Sequence, residues 1–104
     1  MNASPDILFL SHGGGPLPLL GDPDHQEMVE SLQEIARVIS KPSAILIISA
    51  HWEASVPTIT SGAAPELIYD YGGFPPEAYQ IQYPCQGEPE LAQQVNKALN
   101  KAGI

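Results

Sequence analysis

His12 closes a short apolar run and is followed at once by Gly13-Gly14-Gly15-Pro16, in the stretch LFLSHGGGP. A histidine backed by three glycines admits three chemistries: an oxyanion hole, a phosphate-binding turn, or a metal site whose imidazole needs room in front of it. The dinucleotide fingerprint G-x-G-x-x-G fails at Pro18, and no Gly-Lys-Ser/Thr follows for a phosphate loop. An esterase HGGG loop should be accompanied by a G-x-S-x-G elbow, and no serine here has glycine at both offsets. That reading survives only with an elbow serine beyond Ile104.

A second histidine, His51 in IISAHWE, also follows an apolar run. In an open α/β sheet, ligands bind at the carboxyl ends of strands. Two parallel strands joined by one crossover would therefore bring His12 and His51 toward one another. Singly, each is more often a satisfied polar residue at a strand end; together they favour a metal site. Two neutral imidazoles suit Fe(II), zinc or copper, and a third oxygen or nitrogen ligand would complete a face. Glu53 is a candidate, although two residues beyond His51 it would need irregular backbone to turn back. His25, among acids in DPDHQE, reads as a surface residue, and Trp52 as a wall of the site.

The elements that would position these residues read as a βαβ unit. Ile7-Leu8-Phe9-Leu10 and Ala44-Ile45-Leu46-Ile47-Ile48 have the pattern of buried parallel strands. Between them Met28, Leu32, Ile35, Ala36 and Ile39 recur at helical spacing, with Asp22 or Asp24 as cap, Pro23 in the first turn and Lys41-Pro42 as the stop. Residues 57–61 suggest a weaker strand and 79–83 an edge strand, flanking a Gly/Pro/aromatic loop over 62–76 whose length marks it as functional or poorly ordered. Pro89 opens a last helix carrying Leu91, Ala92, Val95, Ala98 and Leu99 before Gly103. The expected fold class is thus α/β, with a mostly parallel sheet. Ending just past a helix stop signal, the chain reads as an incomplete N-terminal segment of one larger domain spanning 1–104. Its open sheet edge would favour association of copies.

Bulk properties narrow the function. The 104 residues carry twelve acidic and four basic side chains and a net charge of −8, which repels nucleic-acid phosphates and anionic lipid. No apolar run approaches the ~20 residues that span a bilayer. One cysteine, Cys85 in YPCQG, allows no internal disulfide, and the first residues lack a signal-type core, so the cytoplasm is the expected compartment. Cys85 has no motif around it and reads as packing or surface.

Three stretches, FLSHGGGPLPLLGDPDH, AILIISAHWE and LIYDYGGFPPEAYQIQYPCQGEPELA, together resemble the N-terminal part of the DOPA-type class III extradiol ring-cleavage dioxygenases, relatives of the catalytic subunit of protocatechuate dioxygenase. The resemblance implies non-haem Fe(II) chemistry, in which a catechol such as DOPA and dioxygen meet at one metal and the ring opens beside the two hydroxyls. It implies His12 and His51 as the first two metal ligands, with zinc replacing iron in some relatives. It also implies Asp70, Tyr71 and Phe74 near the substrate; the alternative is that the aromatics of this loop simply pack. In that family the third ligand, a Glu or His, and the acid/base histidine lie further along than Ile104. An alternative is therefore a non-catalytic truncated member that binds metal or a partner chain.

Overall fold

The computed structural model describes residues 5–104. Among them, regular structure consists of two α-helices, α1 (Gln26–Val38) and α2 (Pro89–Lys101), and three single 3-10 turns, Leu17–Leu20, Pro23–His25 and Pro76–Tyr79. The chain divides into two compact units. One runs up to Ile45 and takes in Tyr71–Ile81; the other comprises Leu46–Asp70 and Gln82–Ile104.

Both predicted helices are present. In α1 the half-buried positions are Met28, Val29, Leu32 and Ile35, with Ile39 just beyond, which is the predicted stripe save for exposed Ala36. The predicted cap is absent. Asp22 instead heads the Pro23–His25 turn, where its carbonyl accepts the His25 N–H, and His25 occupies the cap position of α1 without a side-chain bond to the helix's own N–H groups. In α2, Pro89 takes the first turn, where its missing N–H costs nothing. Leu91, Ala92, Val95 and Leu99 share the inward stripe, and Ala92 is buried. The helix ends in a Schellman arrangement: Gly103, at φ 80°, donates its N–H to Asn100 O, and Ile104 donates to Leu99 O.

The α/β expectation is overturned. No strand or sheet occurs among the described residues. The two apolar runs that suggested parallel strands are exposed, Phe9 and Ile48 at 104% and 92% of their reference areas. An apolar run marks what would be favourable to bury, but a strand exists only when a neighbour supplies the ladder hydrogen bonds and both faces are covered. The expected edge strand at 79–83 fails for a local reason. Pro75-Pro76 favours a turn, and Ala78 N–H donates to Pro75 O and Gln80 N–H to Glu77 O in the 3-10 geometry.

Candidate functional site

In the first unit the turn after His12 is built from glycine geometry and two rings. Gly13 and Gly15 have φ of 74° and 50°, in the left-handed region that glycine enters without strain. The His25 imidazole lies against this turn: a Cβ built on Gly13 would fall 2.7 Å from His25 Nε2. Gly14 N–H donates to His25 Nε2 at 3.0 Å. Nε2 must therefore hold a lone pair, and Nδ1 carries the proton that it donates to Asp22 Oδ2 at 2.6 Å. On the other side, a Cβ on Gly15 would fall 2.8 Å from Phe74 Cζ. Phe74 meets Tyr71 edge to face at a centroid distance of 5.2 Å, and Tyr71 also packs against Tyr79 at 5.5 Å. The Tyr71 hydroxyl donates to the carbonyl of Ala78, the residue buried beneath this cluster. Pro16, directly after the glycines, is buried as well.

In the second unit His51 pairs through Nδ1 with Asp70 Oδ2 at 3.1 Å, both side chains about half exposed. Its backbone N–H donates to Ser49 Oγ. Trp52, Glu53 and residues 54–58 line an open surface concavity directly after it.

Of the residues predicted for the site, the structure thus brings together His51 with Asp70, and Tyr71 with Phe74 against the turn that follows His12. His12 belongs to the first unit and His51 to the second. Among the described residues no three or more His, Cys, Asp or Glu side chains are grouped to hold a metal ion. The His51–Asp70 pair is nonetheless of a kind that suits a borderline divalent metal. An imidazole whose Nδ1 is engaged by a carboxylate is the usual dress of a metal-binding histidine, since the carboxylate fixes the tautomer and raises the basicity of the other nitrogen.

Sequence reasoning missed His25, which organises the glycine turn. Its signal was the Asp22-x-x-His25 spacing, which sets a carboxylate and an imidazole on one side of a single turn. Cys85 is exposed and unbridged, in keeping with its motif-free surroundings. No helix of the described residues is long and apolar enough to cross a membrane.

Comparison with known proteins fixes the class. Residues 6–104 match the family described as the catalytic LigB subunit of aromatic ring-opening dioxygenase. The chain belongs to that family. It is 47% identical over 105 residues to the dioxygenase tasH of Hapsidospora irregularis, covering 94% of this chain and 32% of that protein. It is 36% identical over 100 residues to the 4,5-DOPA dioxygenase extradiol of Beta vulgaris, covering 95% of this chain and 37% of the other. With the protein of that same name from Escherichia coli K12 it shares 37% identity over 92 residues, 88% of this chain and 32% of the other. The chain thus spans about a third of the length of the curated relatives it matches. No solved structure matches it.

Proposed function

We propose that residues 1–104 form the N-terminal segment of an extradiol dioxygenase domain that opens the ring of a catechol such as DOPA. In this reading His12 and His51 are two ligands of a non-haem metal, Fe(II) with zinc as the alternative occupant. Asp70, Tyr71 and Phe74 border the catechol. The observation that carries the reading is the family match over nearly the whole chain, residues 6–104, which takes in both histidines and the aromatic loop.

The metal, when bound, supplies a Lewis-acidic centre at which catechol and dioxygen are held together. The chain's own residues do the positioning. With Nδ1 of His51 paired with Asp70, the imidazole would hold a metal through its other ring nitrogen. The Tyr71 hydroxyl is committed to the Ala78 carbonyl, so Tyr71 offers substrate its ring surface, stiffened by Phe74 and Tyr79.

Ring opening of this type breaks one carbon–carbon bond and places both atoms of dioxygen in the product, with no outside reductant. The test is therefore the full-length protein, loaded with Fe(II) and given L-DOPA, protocatechuate or catechol under ¹⁸O₂. The expected result is a ring-opened product carrying both labelled atoms from at least one of the three. Absence of such a product from all three overturns the proposal.

The carboxylate on His51 gives a separate expectation. Asp70→Ala should weaken Co(II) binding by the full-length protein by about 10- to 100-fold, the range for loss of a ligand-orienting partner. Asp70→Asn should lose less, because its amide oxygen still accepts from Nδ1. Competition against a chelating dye measures both, and unchanged affinity in Asp70→Ala would refute the orienting role.

A further inference from the structure

We infer that His25 is a positioning residue, which locks the Gly13-Gly14-Gly15 turn and thereby fixes the backbone that carries His12. The inference rests on the reading of His12 as a metal ligand and gives a role to a residue outside the proposed ligand set.

Three observations carry it. First, both ring nitrogens of His25 are used: Nε2 accepts from Gly14 N–H at 3.0 Å and Nδ1 donates to Asp22 Oδ2 at 2.6 Å. This double engagement holds the ring in one tautomer and one plane. The Nε2 lone pair is engaged by the Gly14 N–H, which gives the ring a bracing role at this turn. Second, the imidazole is about 20% exposed and Asp22 about 26%, so the pair is largely screened from competing water. A hydrogen bond with a charged partner in such surroundings is stronger than one on an open surface. Third, the Cδ2–Nε2 edge of the ring lies against the glycine backbone, at a separation that no side chain on Gly13 would allow.

A run of three glycines is otherwise the loosest backbone a chain can have, because each populates both signs of φ. Left alone, such a turn would let the preceding residue wander, and a ligand that wanders binds metal weakly. His25 converts the turn into a defined one by taking its central N–H. Asp22, delivered by the same 3-10 turn at i and i+3, fixes His25 in its turn. On the opposite side Phe74 packs on Gly15 and limits the same segment. A metal ligand held this way requires no ordering when the metal arrives.

The test uses the full-length protein and Co(II), whose d–d absorption reports ligand geometry as well as occupancy. His12→Ala comes first. It should weaken Co(II) binding at least about 100-fold; if it leaves binding unchanged, the ligand reading fails, and with it this inference. Given that loss, His25→Leu should weaken Co(II) binding about 10-fold and shift the d–d bands, with far-ultraviolet circular dichroism unchanged. His25→Gln, whose amide oxygen can still accept from Gly14 N–H, should recover most of that loss. In a His12→Ala background, His25→Leu should have no further effect on Co(II). Wild-type affinity and bands in His25→Leu would overturn the positioning role, as would a further loss in the double variant. Should His25→Leu fail to fold, the role stands or falls on His25→Gln and Asp22→Ala: the first should stay within about threefold of wild type and the second should lose about 10-fold. Equal affinities in these two would overturn it.

Discussion

On the proposed reading, either His12→Ala or His51→Ala, made in the full-length protein, should lower turnover of a catechol by at least about 100-fold, with no restoration by added Fe(II). The expectation follows from the small number of strong donors on this chain. Among the described residues no cluster of three His, Cys, Asp or Glu stands by to replace a lost imidazole. Glu53, the nearest acid to His51 along the chain, lines the concavity with Trp52 and Ser55. A carboxylate in place of imidazole would also change the charge at the metal and the ligand field that iron depends on. The two variants should differ in one respect. His51→Ala leaves Asp70 without its imidazole partner, a half-exposed carboxylate that water can solvate, so the fold should tolerate it. Cys85→Ser is the matched control: the thiol is exposed, its contact is the Gln86 carbonyl, and turnover should be unchanged. Turnover within threefold of wild type in either histidine variant, with iron supplied, would remove that residue from the proposed ligand set.

How much of this was legible in the sequence differs sharply between helices and the rest. Met28, Leu32, Ile35 and Ile39, and likewise Leu91, Val95 and Leu99, repeat with the period of a helix, and a helix satisfies its own backbone. Local pattern therefore suffices for it. Residues 7–10 and 44–48 carry an apolar pattern too, but a strand depends on a partner whose presence no local window encodes. The same holds for the site. His12 and His51 are conspicuous because each ends an apolar run, and the aromatic loop is conspicuous by composition. Resemblance implies a place for Asp70 beside substrate, and its pairing with His51, nineteen residues back along the chain, is a contact that no local window encodes. His25, among acidic neighbours, has the local pattern of a surface residue. One of those acids is what gives it a defined tautomer.

The glycines themselves provide the second large effect, and a comparison within one tripeptide isolates its cause. Gly13→Ala should destabilise the chain by about 2–3 kcal/mol, while Gly14→Ala should stay within about 0.5 kcal/mol of wild type. Gly13 is at φ 74°, where a Cβ meets the backbone, and that Cβ would also lie 2.7 Å from His25 Nε2. The left-handed conformation costs roughly 1–2 kcal/mol for an L-residue, and pushing the imidazole aside forfeits the Gly14 hydrogen bond, worth about 1 kcal/mol more. At Gly14 the nearest atoms to an added Cβ lie 3.7 Å away, in ordinary contact with His25 and Leu17. Gly15→Ala falls between: its φ of 50° is nearer what alanine tolerates, but the Cβ would stand 2.8 Å from Phe74 Cζ, and that ring must tilt away from Tyr71. Urea unfolding followed by circular dichroism gives the order, and hydrogen exchange at the Gly14 amide gives the reason, since this proton is the one His25 accepts. Exchange should accelerate in Gly13→Ala and remain slow in Gly15→Ala. If alanine at 13 and 14 cost the same, ring packing against the turn would not be what demands glycine after His12, and the open-faced turn expected of a metal ligand with room before it would be the better account of the sequence.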